Sequence, residues 1–224
     1  MKLSVVIPTW CEAPRIAKLV AHCRSFTDEV IVADAHSPDD TAAAAGAAGA
    51  LVVQTEKGRG TQLNAGARRS TGDVLLFVHA DTTIPASARQ AIAEALALPA
   101  IIGGNFKLRF VPETPMARFY SRCNHARRKL FAMYYGDSCI FVRRRVFDEL
   151  GGFRNLPVFE DHDFVSRLER LGQTHYEVRV QVESSARRFE RRPLRTLALW
   201  TLMQTLYASG VSPERLSRLY ADAR

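Results

Sequence analysis

Short apolar runs alternate with helical patterns along the first hundred residues of the chain. The apolar runs are too short for typical helices and predict strands, which lie at 3–7, 30–33, 51–53 and 72–81. Apolar positions at helical spacing predict helices over 14–25, 41–50, 61–70 and 85–98. Strands that alternate with helices through short links predict a parallel sheet with right-handed crossovers.

The pattern changes after Ile101. Strands are predicted over 105–111 and 138–142, and helices over 114–131 and 160–171. The chain closes with an apolar helix from Pro193 that is broken at Gly210, followed by a short helix with Ser212 as its cap and Pro213 at its first position. Because no linker rich in Gly, Ser or Pro divides the chain, we expect its halves to share one core.

Polar side chains follow three of the predicted strands. Thr9 and Glu12 follow the first, Asp34 ends the second, and Asp81 follows the apolar run 74–78. The carboxyl ends of parallel strands form the crevice where open α/β sheets bind ligands, so these groups are candidates for a polar ligand and a divalent cation. The alternative is that each acidic residue caps a helix, Asp81 being the entry to the helix predicted at 85–98.

Two further segments offer chemistry in front of predicted helices. Lys57-Gly58-Arg59-Gly60 could bind an anion with backbone N–H groups, although a flexible turn explains it equally well. Glu160-Asp161-His162-Asp163 could supply a general base, although acidic residues in the first turn of a helix are also favoured by its dipole. The chain has no Gly-x-Gly-x-x-Gly after a strand, which disfavours a dinucleotide-binding enzyme.

Charge and hydropathy limit the kinds of partner that we expect for this chain. The net charge of +8 fits phosphate-bearing ligands, nucleic acid or an anionic membrane surface. The N-terminus shows no signal peptide, so we expect a cytoplasmic protein. The basic segment ahead of the last apolar helix could lie on the inner face of a membrane, but we prefer that this helix packs on the domain's own core or on a second subunit, as in a homodimer. The arginines concerned are Arg187, Arg188, Arg191, Arg192 and Arg195.

Together these segments resemble the family 2 glycosyltransferases, which have the GT-A fold. The matching stretches, in order, are 4–12, 32–41, Gly60 with 64–67, 72–73, 79–81, 103–106, 151–153 and 160–161. The His79-Ala80-Asp81 variant, the turn 135–137 and the tail resemble a compact bacterial subgroup. The family usually has Asp-x-Asp where this chain has His79-Ala80-Asp81, and Tyr-Asn where it has Trp10-Cys11.

The resemblance implies an α/β, GT-A (Rossmann-like) fold with a mostly parallel sheet flanked by helices and a short helical C-terminal tail. It implies a GT-A domain over 1–192, with a nucleotide-binding half (1–100) and an acceptor half (101–192). Residues 193–224 would be a helical extension packed on it.

The resemblance also implies a hexosyltransferase-like enzyme that moves a sugar from a nucleotide-diphosphate sugar to an acceptor hydroxyl with inversion. Asp161, beside Glu160, would be the catalytic base. Asp81, with His79, would bind Mg²⁺ or Mn²⁺. The nucleotide sugar would be bound by Pro8, Thr9, Glu12, Asp34, Arg59, Asn64, Ala80 and Asp81.

Three other functions compete with this one. A non-catalytic nucleotide- or sugar-binding protein could keep the fold without turnover, and a nucleotidyltransferase could use a similar sheet. A nucleic-acid binder would explain the basic charge, but the chain lacks interleaved aromatic platforms and a recognisable binding motif. We therefore expect no nucleic-acid partner.

Overall fold

An eight-stranded mixed sheet forms the centre of the computed structural model, which describes residues 1–186 and 193–222. Its strands are β1 (Leu3–Thr9), β2 (Glu29–Asp34), β3 (Leu51–Gln54), β4 (Val74–Phe77), β5 (Thr82–Thr83), β6 (Ile101–Val111), β7 (Phe141–Arg143) and β8 (Gln173–Ser185). They lie in the order β3-β2-β1-β4-β7-β6-β8-β5. The α/β, GT-A-like fold class predicted from the sequence is confirmed.

Helices cover both faces of this sheet. They are α1 (Ala13–Arg24), α2 (Thr41–Ala47), α3 (Arg59–Arg69), α4 (Ala88–Leu96), α5 (Pro115–Phe131), α6 (Arg144–Glu149), α7 (Glu160–Leu171), α8 (Pro193–Ala208) and α9 (Pro213–Asp222). A 3-10 turn at Gly136–Ser138 precedes β7. No helix within residues 1–186 and 193–222 combines the length and hydropathy needed to cross a bilayer.

Strand direction differs between the two halves of the sheet. β1 pairs in parallel with β2 and β4, and β2 with β3, as the alternating pattern predicts. β7 runs antiparallel to both β4 and β6, while β6 and β8 are parallel. β1 to β4 therefore build the parallel half, β7 joins it to β6 and β8, and the short β5 returns to pair antiparallel with β8 at the far edge.

The core has two layers because successive side chains of a strand point to opposite faces. Val5 and Ile7 of β1 pack with α1, α4 and α5 in the larger cluster, whereas Val6 faces a smaller cluster with α3, α6 and α7. All four residues of β4 are buried, which confirms that the run at 74–77 is a strand covered on both faces.

The long strand β8 was missed by the sequence patterns. Val178, Val180 and Val182 alternate with polar residues, but the burial does not follow that alternation: Glu177 is 1% exposed and Val178 is 43% exposed. The pairing of β6 with β8 shifts register between Phe106 and Lys107, and such an irregularity moves side chains from one face to the other.

The C-terminal helices pack on the rest of the chain. Trp200 of α8 contacts the ring of Tyr120 edge-on at 6.1 Å, and Leu197 also packs against the larger core cluster. This packing supports the interpretation that α8 docks on the domain itself. Of the five arginines named in the sequence analysis, Arg195 lies in the first turn of α8 and is exposed. The other four lie outside the described residues.

Candidate active site

The ends of β1 and β2 bring Thr9 and Asp34 together. These residues are register partners, and the Thr9 hydroxyl donates to Oδ1 of Asp34 at 2.9 Å. Ser37 donates its backbone N–H to Oδ2 at 2.8 Å and its hydroxyl to Oδ1 at 2.6 Å. Asp34 is fully buried, so its carboxylate fixes the turn that leads from β2 towards α2.

Gln62 of α3 holds the same two strand ends from the other side. Its side-chain amide donates to the carbonyl oxygens of Thr9, at 2.8 Å, and Ala33, at 2.9 Å. Sequence reasoning missed this residue, because a glutamine within a helical pattern gives no signal of such a role. The contact sets the position of α3 and of the segment 57–60 in front of it.

The alternative that Glu12 caps a helix agrees with the structure only in part. Glu12 occupies the N-cap position of α1, but its side chain makes no capping hydrogen bond. It forms an ion pair with Arg15 at 3.1 Å, while its backbone N–H donates to the Thr41 hydroxyl. Beside it, the ammonium of Lys57 lies 3.8 Å from the centre of the exposed Trp10 ring, which places segment 57–60 against this turn.

His79, Ala80 and Asp81 lie half-buried just after β4. The carbonyl of His79 accepts the N–H of Thr82 at 3.0 Å, and the chain then enters β5. The helix that Asp81 could have capped begins only at Ala88, so the capping interpretation of Asp81 is wrong.

Asp161 lies in the first turn of α7 with its carboxylate held by two backbone amides. Gly136 donates to Oδ2 at 2.9 Å and His162 donates to Oδ1 at 2.8 Å. The residue is 7% exposed. A β-carbon added to Gly136 would lie 2.6 Å from Nε2 of His79 and 3.4 Å from Oδ2 of Asp161, so His79 and Asp161 flank the same glycine.

Glu160 has a different environment from its neighbour. It is 1% exposed and forms an ion pair with Arg59 at the start of α3. Desolvation raises the pKa of the Glu160 carboxyl, repulsion from Asp161 adds to the shift, and Arg59 opposes it. Desolvation acts to lower the pKa of Arg59, but the charges of Glu160, Asp161 and Asp137 raise it overall. Arg59 therefore brings a fixed positive charge to an acidic cluster.

Asp137 and Asp81 both approach the buried Cys139. Burial is the main cause that raises the pKa of this thiol, and the charges of Cys23, Asp137 and Asp81 raise it further. Asp137 follows Gly136 directly, in the turn 135–137 that resembles the bacterial subgroup, but the sequence assigned it no role of its own.

Asn64 and Asp163 make contacts that organise the chain. The Asn64 side chain accepts the N–H of Phe153 at 2.9 Å and donates to its carbonyl at 2.7 Å. Asp163 is bridged by Arg154 and Arg167, at 2.9 and 2.8 Å. Asp163 thus stabilises the segment before α7, and the assignment of Asn64 to donor binding stays a prediction.

Aromatic rings surround the first turn of α7. Phe159, in the left-handed region at φ 63°, stacks on Tyr207 of α8 with ring centres 4.7 Å apart. Tyr207 also contacts His162 edge-on at 5.4 Å, and Tyr135 lies 5.8 Å from the same imidazole. Burial raises the pKa of Tyr135 to about 12 and lowers that of His162. α8 therefore contributes an aromatic ring to the surface beside Asp161.

The side chains at this site fit a cation that takes its remaining ligands from a phosphate group of the substrate. Within residues 1–186 and 193–222 no three His, Cys, Asp or Glu side chains are placed to hold a metal ion by themselves. Mg²⁺ is commonly bound by one or two carboxylates together with substrate phosphates, and Asp81 is a half-buried carboxylate at the ligand-binding edge of the sheet.

Comparison with known proteins identifies the family. The model of glycosyl transferase family 2 matches residues 4–151. This chain belongs to glycosyl transferase family 2. No curated protein matches this family member significantly.

Solved structures share the fold of this family member at low sequence identity. Glucosyl-3-phosphoglycerate synthase from Mycobacterium tuberculosis, in complex with phosphoglyceric acid, is 19% identical, with a TM-score of 0.60 over 82% of this chain and 70% of that one. S. aureus TarS 1-349 in complex with UDP-GlcNAc is 18% identical, with a TM-score of 0.62 over 83% and 58%. Mannosyl-3-phosphoglycerate synthase from Rubrobacter xylanophilus is 15% identical, with a TM-score of 0.60 over 94% and 75%. The chain spans 65% of a similar mycobacterial protein and 60% of a second structure of S. aureus TarS 1-349.

Proposed function

We propose that this protein transfers a hexose from a nucleoside diphosphate sugar to an acceptor hydroxyl, with inversion at the anomeric carbon. The observation that carries the proposal is Asp161, a nearly buried carboxylate fixed by the amides of Gly136 and His162 beside the turn that holds His79 and Asp81. Family membership supports the reaction class.

The donor would lie along the ends of β1, β2 and β4. Thr9 and Asp34 are hydrogen-bonded to each other at the ends of β1 and β2. Pro8 precedes Thr9 in β1, and Glu12 lies in the turn that follows. Ala80 and Asp81 line the third strand end. Arg59, with its charge held close to Glu160 and Asp161, would attract the diphosphate from the opposite side. Solved structures of the same fold in complex with UDP-GlcNAc, or with Mg²⁺ and UDP, support a donor of this class.

The base chemistry is assigned to Asp161. As the acceptor oxygen bonds to the anomeric carbon, Asp161 takes the hydroxyl proton and the bond from that carbon to the diphosphate breaks. A general base must lie within hydrogen-bond reach of the proton it accepts, and the two amides hold the carboxylate in one orientation. Glu160 would assist from its ion pair with Arg59 by keeping that guanidinium in place.

A divalent cation, Mg²⁺ or Mn²⁺, would be held by Asp81 with His79 as a further ligand. When bound, such an ion offsets the negative charge that develops on a diphosphate leaving group. The contact of His79 with Gly136 would then connect the cation to the glycine that orients Asp161. A cytoplasmic location, a bacterial source and a homodimer stay predictions.

The test has a binding stage and a turnover stage. Melting temperatures are measured with a panel of nucleoside diphosphates and nucleotide sugars, with and without Mn²⁺, because a ligand that binds the native state raises its stability. For a ligand that binds, release of the sugar is then compared between the wild-type protein and Asp161→Asn, with the exposed Asp148→Asn as control.

We expect Asp161→Asn to keep the melting shift and to lose sugar transfer by about 10²–10⁴-fold. Normal turnover by this variant would refute the base assignment. Binding without turnover in the wild-type protein would favour a non-catalytic sugar-binding protein. Release of diphosphate from a nucleoside triphosphate would favour a nucleotidyltransferase.

A further inference from the structure

The outer surface of α5 has an ordered arrangement of charge and apolar side chains. Apart from Pro115 and Phe131 at its two ends, its exposed positions fall on an arc of about 120°, at about 100° per residue. Cations occupy one side of the arc and apolar residues the other. The positions on this arc are Arg118, Arg122 and Lys129 on the first side and Phe119, Ala126 and Leu130 on the second. We call these six residues the outer face of α5.

The two large apolar residues of this face are strongly exposed. Phe119 is 47% and Leu130 is 72% exposed. The helix already has a face for the core, because Ala117 and Tyr120 are buried in the larger cluster. Docking on the protein's own core therefore does not explain Phe119 and Leu130.

Acidic residues are missing from both helices at this surface. Neither α5 nor α8 contains an aspartate or glutamate in its sequence, and the acidic residue nearest to α5 along the chain is Glu113, ahead of its N-cap Thr114. Since acidic side chains are common on soluble surfaces, a helix with only cations among its charges has a consistent positive potential.

α8 packs against α5 outside this arc. Trp200 contacts Tyr120, and the side-chain oxygen of Gln204 accepts a hydrogen bond from Arg127 at 3.1 Å, so the contacts advance in the same order along both helices. The exposed Leu202 and Arg195 lie about 180° around α8 from these contacts, so they point away from α5 and the outer face of α5 stands by itself.

We propose that the outer face of α5 binds the surface of an anionic lipid bilayer. Interfacial helices combine cations that attract anionic headgroups with Phe and Leu that enter the acyl boundary, and the outer face of α5 supplies both. The split between its cationic and apolar sides allows both contacts at once. RNA is a poorer match, because Leu130 and Ala126 offer no platform on which bases could stack.

The position of this surface matters for the acceptor. α5 ends at Phe131, just ahead of the turn in which Gly136 binds Asp161. A bilayer on the outer face of α5 would bring an amphiphilic acceptor, with its hydroxyl at the headgroup level, to the acceptor side of the site. That consequence rests on the proposed function, whereas the bilayer contact does not.

The experiment measures co-sedimentation of the full chain with vesicles of phosphatidylcholine alone and of phosphatidylcholine with 30% phosphatidylglycerol. Two variants change the outer face: Arg118→Gln/Arg122→Gln/Lys129→Gln, and Phe119→Ser/Leu130→Ser. Two controls change exposed residues elsewhere with matched chemistry: Arg68→Gln/Arg69→Gln at the end of α3, and Leu98→Ser after α4. All the substituted residues are exposed, and circular dichroism checks that each variant folds.

We expect the wild-type protein to bind anionic vesicles at least tenfold more tightly than neutral ones. The triple variant should lose about a hundredfold in partition coefficient and the Phe119/Leu130 variant at least tenfold, while both controls bind like the wild-type protein. Failure of the wild-type protein to bind anionic vesicles, or equal losses in the controls, would overturn the proposal. So would a dimer that the Phe119/Leu130 variant converts to monomer without any vesicle binding, or binding to generic RNA in place of vesicles.

Discussion

Gly136 donates its backbone N–H to Oδ2 of Asp161 over 2.9 Å while its α-carbon faces the imidazole of His79. One residue without a side chain therefore sets the distance between the candidate base and the candidate cation-binding turn.

Gly136→Ala is expected to impair catalysis by displacing His79. The added methyl group would meet Nε2 of His79 at 2.6 Å, so the imidazole must move, and overpacking of this kind costs about 1–3 kcal/mol. We expect kcat to fall at least tenfold, because small displacements of catalytic groups are costly. Steady-state kinetics with the donor that the binding panel identifies measures this.

Gly46→Ala is the matched control for that variant. Gly46 lies in α2, and a β-carbon added there would lie 3.8 Å from the side chain of Val52, which is an ordinary contact distance. Alanine should therefore leave activity unchanged and stabilise the helix by up to about 1 kcal/mol. Equal kinetics for the wild-type protein and Gly136→Ala would show that His79 and Asp161 need no fixed spacing.

The Arg59–Glu160 ion pair is expected to stabilise the site through neutralisation of Glu160. Arg59→Met leaves a carboxylate that is 1% exposed next to Asp161 without its cation, and we expect a loss of about 1–3 kcal/mol, reduced by the partial exposure of Arg59. Arg59→Met/Glu160→Gln should recover at least half of this loss. Urea unfolding of both variants and of Glu160→Gln completes the cycle.

The half-exposed pair Arg89–Asp28 is the control for that cycle. Arg89→Met should cost less than about 1 kcal/mol, since ion pairs open to solvent contribute little. If the losses of the two single variants at Arg59 and Glu160 simply added in the double variant, the two residues would be energetically independent.

Glu177 is expected to make the free energy of unfolding depend on pH. Desolvation acts to raise its pKa, but hydrogen bonds from Arg179 and His175 lower it from 4.5 to about 2. A carboxyl whose pKa is lower in the folded state stabilises the protein above its unfolded pKa and loses that contribution as the pH falls towards 2. Glu177→Gln should therefore be less stable than the wild-type protein at pH 7. We expect a difference of only about 1–2 kcal/mol, because solvent screens the charge of the exposed Arg179.

The difference should shrink as the pH falls from about 5 to 3, which thermal unfolding at several pH values would measure. Glu149→Gln, an exposed substitution on α6, serves as the reference. A difference that stays constant over this range would mean that Glu177 acts through packing alone.

Tyr207 tests whether α8 belongs to the site. Its ring stacks on Phe159 and touches His162, next to Asp161. Tyr207→Ala should reduce stability by about 1 kcal/mol, and it should raise the acceptor KM more than it lowers kcat. Tyr207→Phe keeps the stack and should behave like the wild-type protein. Unchanged acceptor kinetics in Tyr207→Ala would assign the ring to packing only.

The strand ends could be predicted because their signals are local. The buried run of β4 and the apolar runs of β1 and β2 lead directly into Asp81, Thr9 and Asp34, and parallel pairing brings Thr9 and Asp34 together. The start of α7 could be predicted for the same reason.

The remaining features depend on contacts between distant parts of the chain. Glu177 is buried by partners on a bulged strand, Gln62 bonds to two strand ends, and Gly136 fits between His79 and Asp161. None of these roles follows from periodicity or from a neighbouring residue. The strand β8 was missed because its buried carboxylate contradicts the alternation on which strand prediction depends.

The position of β7 also limits how the protein could close over a bound ligand. Because β7 is hydrogen-bonded to β4 on one side and to β6 on the other, the two halves are parts of one continuous sheet. Hinge closure needs a few residues about which two bodies can rotate, and a shared sheet provides no such pivot. In the proposed transfer, exclusion of water would then depend on side chains at the strand ends and on the bound substrates themselves, against a fixed frame.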